Sequence, residues 1–212
     1  AAHILNYYDP TFNIIIHKNY DLPLLSDDTL KNSLIILNSY SGNTEEVISA
    51  FNLALKKKLK MISVSVNGKL IELSKENNIP FVKLPEPQIQ PRLALGFQTK
   101  ALLKIMNKEK ELEEISKLSY LLKPEEFKEK GRELAQKIKD KIPIIYASEK
   151  NQAIAYNFKI KFNETSKIPA FYNVFPELYH NEMTGFDVKD TTRYLSQNFI
   201  FFLLFDDEDY PK

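Results

Sequence analysis

Cysteine is absent from this 212-residue chain, which excludes disulfides and thiolate metal sites and makes a reducing compartment the expected one. Glycine is scarce. The five glycines, at 42, 68, 96, 131 and 185, never fall within one loop, so no dinucleotide fingerprint is present. The glycine at 42 has no lysine after it where a P-loop would need one. No apolar run approaches membrane-spanning length and no signal peptide is visible, so the expected location is cytoplasmic. An excess of one charge is lacking too: Lys+Arg 29 against Asp+Glu 28 gives +1, with the two signs interspersed. That balance points to neither a nucleic-acid nor a membrane partner. The remaining composition, 43% hydrophobic and 27% charged, is that of an ordinary globular protein with room for one large domain or two modest ones.

Against these absences one stretch is rich in chemistry. Leu34 to Leu37 is a short, partly β-branched apolar run that ends in turn residues, which reads as a buried strand. It runs into Asn38, Ser39, Ser41, Gly42, Asn43 and Thr44, and then into Glu45–Lys57, a segment of helix-forming composition. Strand, hydroxyl-rich turn and helix start together aim backbone N–H groups and O–H donors at one point, which suits a phosphate. The plain alternative makes Asn43 an N-cap with Glu46 as its capping-box partner and leaves the serines to satisfy a turn. A cap needs one such residue, and this loop carries three hydroxyls and a glycine.

The rest of the chain predicts an α/β fold. Strands are expected at Asn13–His17, Met61–Val66 and Phe81–Leu84, with helices at Asp27–Asn32 and Lys69–Glu76. Three prolines within Pro85–Pro91 force an extended segment, and Pro91 suits the first turn of a helix from Arg92 to about Met106. The charged stretch from Lys108 to Lys141 reads as two helices divided by Pro124, a bridge to a second unit. That unit is expected to comprise strand Ile142–Ala147, helix Asn151–Thr165, strand Ala170–Val174, a short helix near Glu177–Thr184 and strand Phe199–Phe205. Phe199, Phe201, Phe202 and Phe205 read as buried strand with no functional role. The expected division is 1–122 and 123–212. The chain opens without methionine, as if inside a helix, and closes in the acidic tail Phe205–Lys212 directly after a strand, so both ends read as cut points.

Taken together, these motifs resemble the sugar isomerase (SIS) family, whose signature is a strand followed by a Ser/Thr-rich phosphate loop and a helix. The segment from Asn38 to Glu45 carries that resemblance. Pro91-Arg-Leu-Ala-Leu-Gly96, Asn163-Glu164 and Pro176-Glu-Leu-Tyr-His-Asn-Glu182 narrow it to the bifunctional phosphoglucose/phosphomannose isomerases. The resemblance implies two SIS-type αβα sandwich units with parallel sheets, flavodoxin-like or Rossmann-like, and an aldose–ketose isomerase needing no cofactor or metal. It also implies a Gly-x-Gly-Gly-Ser segment before the first helix and a lysine in a later helical region. Neither falls within the 212 residues, so the active site of this stretch alone is expected to be incomplete.

Residue by residue, the resemblance makes Ser39, Ser41 and Thr44 the phosphate ligands. Glu164 becomes the base between C1 and C2, and His180 the ring opener, supplied by the neighbouring subunit of a homodimer. Arg92 becomes the cation at the enediolate, and Glu177 and Asn181 shape the site. Each has a plainer reading. Glu164 is a surface carboxylate near a helix C-terminus, where negative charge is unfavourable. His180 is a structural histidine bonded to Glu177 or Glu182. Arg92 is an exposed residue at a helix start. His-Asn-Glu also matches part of a zinc-deaminase signature, but the partner cysteines are lacking; a carboxylate and histidine metal site would need more ligands, and only His3 and His17 remain. A sugar-phosphate sensor would keep the loop and need neither Glu164 nor His180. A ketose-phosphate amidotransferase isomerase domain is disfavoured by the segment around His180.

Overall fold

A computed structural model describes residues 1–207 and 209. The reading of Phe205–Lys212 as an acidic tail therefore falls partly outside the described residues. The chain divides into two compact units: Ala1–Leu5 with Phe12–Lys117, and Asn6–Thr11 with the chain from Leu118 onward.

The first unit is built on strands β1 (Ile35–Asn38), β2 (Met61–Ser65) and β3 (Phe81–Lys83), all parallel in the order β1-β2-β3. The helices run α1 (Ala2–Tyr8), α2 (Asp27–Lys31), α3 (Glu45–Lys56), α4 (Lys69–Glu76) and α5 (Leu95–Ile105). Strand alternation sorts the apolar side chains to two faces. Ile35, Leu37 and Met61 pack with Phe51 and Ala54 of α3 and Leu70 of α4. Val64 and Ile36 turn the other way, toward Ala101 and Phe97 of α5. On the α4 side the fully buried hydroxyls of Ser63 and Ser74 are bonded to each other at 2.8 Å, so neither is buried without a partner.

In the second unit the central strand β4 (Ile142–Ser148) is flanked by β5 (Phe171–Phe175) and β6 (Phe199–Leu204), both parallel to it. Helix α6 (Glu109–Leu121) spans the division after Lys117, α7 (Pro124–Lys137) precedes β4, and α8 (Gln152–Lys161) and α9 (Arg193–Ser196) follow it. Ile145 and Ala147 of β4 face Ala155 and Phe158 of α8. On the opposite face Ile144 and Tyr146 pack against Leu178, in a 3-10 turn at Glu177–His180.

Several expectations are corrected. Asn13–His17 is not a strand; Asn13 has φ +50° and the segment has no sheet partner among the described residues. The expected helix from Arg92 begins as a separate 3-10 turn, Pro91–Leu93, and α5 starts only at Leu95. The Asn151–Thr165 segment ends in a π-helical turn, Phe162–Ser166. The phenylalanines of the last strand are not uniformly buried. Among the described residues β6 pairs on one side only; Phe201 is 39% exposed, and Phe205, just past the end of the strand, is 63% exposed. Neither α6 nor α7 contains a buried residue, so the apolar stripe Leu118, Leu122, Phe127 and Leu134 lies exposed. No helix among the described residues is long and apolar enough to cross a membrane.

Candidate active site

The hydroxyl-rich loop joins the C-terminal end of β1 to α3, where open parallel sheets bind ligands. Ser39 is buried, with Oγ 2.7 Å from Thr44 Oγ1, and it also accepts the Gly42 N–H at 3.1 Å. Ser41 is exposed; its Oγ accepts the Asn43 N–H at 3.3 Å. The three expected phosphate ligands thus share one short loop. α3 opens at Thr44 without any side-chain capping bond. Asn43 is therefore not the N-cap of its own helix, and the plainer alternative, a capping box with Glu46, does not form. A helix start lacking a side-chain cap leaves first-turn N–H groups for an anion.

Arg92 lies half-buried in the Pro91–Leu93 turn of the same unit. Glu164 is exposed in the π-helical turn after α8. Its neighbour Asn163 donates from Nδ2 to the Ile168 carbonyl at 3.0 Å, which ties this turn to the segment leading into β5. His180 ends the Glu177–His180 turn and is exposed. Asn181 Nδ2 donates to Glu177 Oε1 at 3.1 Å. Neither Glu177 nor Glu182 bonds His180 among the described residues, so the structural partners considered for that histidine are engaged elsewhere.

Glu182 is held by two donors: the Tyr146 hydroxyl reaches Oε1 at 2.8 Å and Asn173 Nδ2 reaches Oε2 at 2.6 Å. This clamp fixes the turn bearing His180 to β4 and β5. Burial, and then the Glu182 carboxylate it bonds, push the Tyr146 phenol well above its usual range. Sequence reasoning overlooked the clamp. The available signal was a tyrosine inside the apolar run Ile142–Ala147, whose buried hydroxyl requires a partner. A second oversight is the turn after β2, marked by the dipeptide Asn67-Gly68, which packs directly on the hydroxyl loop. Gly42, at φ +78°, would place a Cβ 1.8 Å from the Asn67 carbonyl oxygen.

The clusters also separate Glu164 from His180. Phe162, at the start of the Glu164 turn, packs on the α8 face of the second sheet, whereas Leu178 packs on the opposite face. One copy of this unit sets the two turns on different faces. Among the described residues no group of three or more His, Asp or Glu is placed to hold a metal ion.

Residues 127–212 match the family described as bacterial phospho-glucose isomerase C-terminal SIS domain. The C-terminal domain of glucosamine-fructose-6-phosphate aminotransferase from Francisella tularensis shares the fold, with TM-score 0.61, 16% identity and coverage of 91% of this chain and 55% of that one. Residues 127–212 thus match an SIS domain, and the chain as a whole is similar to sugar isomerases. Its relatives include the bifunctional phosphoglucose/phosphomannose isomerase of Aquifex aeolicus, 34% identical over 98% of this chain and 61% of the relative. The enzyme of the same name from Caldicellulosiruptor bescii is 34% identical over 94% of this chain and 61% of the relative. The chain thus spans about three fifths of the length of these relatives.

Proposed function

We propose that the protein carrying this chain is an aldose–ketose isomerase that interconverts fructose 6-phosphate with glucose 6-phosphate and mannose 6-phosphate. The observation that carries this reading is the hydroxyl cluster of Ser39, Ser41 and Thr44 at the end of a parallel strand, ahead of a helix with no side-chain cap. Hydroxyl donors and a helix N-terminus favour a phosphate dianion. Held there, the phosphate positions carbons far from it, so its binding energy serves the chemistry at C1 and C2. The names of the relatives support the choice of substrate.

In this reading His180 opens the ring by moving a proton between the ring oxygen and the anomeric hydroxyl, a task suited to imidazole near neutral pH. Glu164 takes the C1 proton of the open-chain ketose, leaving an enediolate charged on O2, and returns it to C2 while the O1 hydroxyl proton passes to O2, so that C1 becomes the aldehyde. Arg92 balances the charge on the enediolate oxygen. C1 and C2 exchange oxidation states within one molecule, so the balance requires no external oxidant. Glu177 and Asn181, bonded to each other, shape the turn that presents His180. His180 reaches the substrate from the second subunit of a homodimer, a reading supported by the placement of the Glu164 and His180 turns on opposite sheet faces. The protein acts in the cytoplasm.

The test is conversion of fructose 6-phosphate by the protein carrying this chain, with products resolved by NMR. Appearance of glucose 6-phosphate and mannose 6-phosphate is expected. Binding without turnover would overturn the isomerase, and absence of binding would overturn the phosphate loop itself.

A further inference from the structure

Helix α4 begins at Lys69 behind Gly68, a residue with no side chain to cap it. The acceptor comes from another element: Asn43 Oδ1, in the loop between β1 and α3, receives the Lys69 backbone N–H at 3.0 Å. The next N–H, that of Leu70, goes to the Gly42 carbonyl at 2.9 Å. On the other side of the loop the Val66 N–H goes to the Tyr40 carbonyl at 3.0 Å. The buried Ser65 Oγ lies 3.2 Å from the Tyr40 carbonyl and 2.8 Å from that of Asn67, so it is shared between the two loops. Close backbone approach accompanies these bonds. Gly68, at φ +81°, would place a Cβ 2.6 Å from the Ser41 carbonyl oxygen and 2.7 Å from Asn43 Oδ1. The first N–H groups of α4 are thus spent on the hydroxyl loop and form no second anion site.

We propose that Asn43 is a positioning residue of the phosphate site: it caps α4 from outside and thereby fixes Ser41 and Thr44, which lie on either side of it. The inference rests on the phosphate role given to the loop above. Asn43 acts through Lys69, whose backbone N–H its side-chain oxygen accepts. Capping by an Asn side chain satisfies a donor that the helix cannot satisfy itself. Here the capping residue sits between two proposed ligands, so opening the cap and loosening the phosphate site are one local event.

The test compares Asn43→Ala with Ser26→Ala in the full chain. Ser26 Oγ caps α2 by accepting the Thr29 N–H at 3.1 Å, and α2 leads into the opposite end of β1. The control therefore removes a helix cap away from the loop. Two quantities are read at a temperature where every variant is folded: amide exchange at Lys69 and Gly42, and the Kd for fructose 6-phosphate. Asn43→Ala is expected to exchange faster at both amides and to bind about fivefold more weakly, the net worth of one hydrogen bond. Ser26→Ala is expected to leave both unchanged. Gly68→Ala, which adds a methyl against Ser41 and Asn43, is expected to reproduce the weaker binding. An unchanged Kd in Asn43→Ala, or an equal loss in Ser26→Ala, would overturn the positioning role. A wild-type chain that does not bind fructose 6-phosphate, but whose Lys69 protection still depends on Asn43, would overturn the phosphate reading while supporting the cap.

Discussion

Ser39 and Ser41 carry the same hydroxyl into different surroundings. Ser39 is 5% exposed and bonded within the loop, so Ser39→Ala removes two internal hydrogen bonds as well as a proposed phosphate ligand. It is expected to lower unfolding stability by about 1–2 kcal/mol and to weaken fructose 6-phosphate binding. Ser41 is exposed, so Ser41→Ala is expected to weaken binding with stability changed by less than about 0.5 kcal/mol. Denaturant unfolding and calorimetry on the same two variants check the contrast. Tyr146 gives a prediction of another kind. Its folded phenol titrates above the ordinary value of 10.0. The neutral form is therefore favoured by folding, and the stability it contributes is complete below pH 10 and lost as pH rises further. Tyr146→Phe keeps the ring contacts with Phe175 and Phe201 but leaves one Glu182 oxygen without its donor. It is expected to cost about 1–2 kcal/mol at neutral pH and to flatten the alkaline loss, both measured by unfolding across a pH series.

At the scale of elements, the hydroxyl loop and the turn after β2 behave as one piece. Gly42→Ala forces a side chain into a left-handed conformation and against the Asn67 carbonyl. It is expected to cost at least about 2 kcal/mol and to disturb the amide signals of Asn67–Leu70 as well as its own loop. A variant as stable as wild type would mean that the two backbones are not in contact. Elements held by local pattern were legible in sequence: α4 runs over Lys69–Glu76 as read, and β4 has a near-continuous apolar run fit for a buried parallel strand. Asn13–His17 misled because three consecutive isoleucines resemble a strand. Ile14 is instead packed beside Leu5 and Leu102, outside any ladder. The hydroxyls of Ser39, Ser41 and Thr44 were legible because strand, loop and helix are contiguous. The cap from Asn43 to Lys69 and the clamp of Tyr146 and Asn173 on Glu182 were not, since each joins residues brought together only by the sheet.

At the scale of the whole molecule, the proposed residues divide between the units: Ser39, Ser41, Thr44 and Arg92 in the first, Glu164 and His180 in the second. If His180 is supplied by a partner subunit, mixing inactive Glu164→Gln with inactive His180→Ala is expected to restore activity. The mixed dimer would hold one site with both residues intact. Failure of subunit-exchanged mixtures to recover any activity would place both residues in one chain. The central claim, that Glu164 is the base of an isomerase, is tested most directly by the turnover of fructose 6-phosphate in Glu164→Gln alone. Removing an acid–base group is expected to slow turnover by about 10³-fold, with fructose 6-phosphate binding unchanged. Turnover equal to wild type would contradict the account, because the proton between C1 and C2 would then be carried by another group.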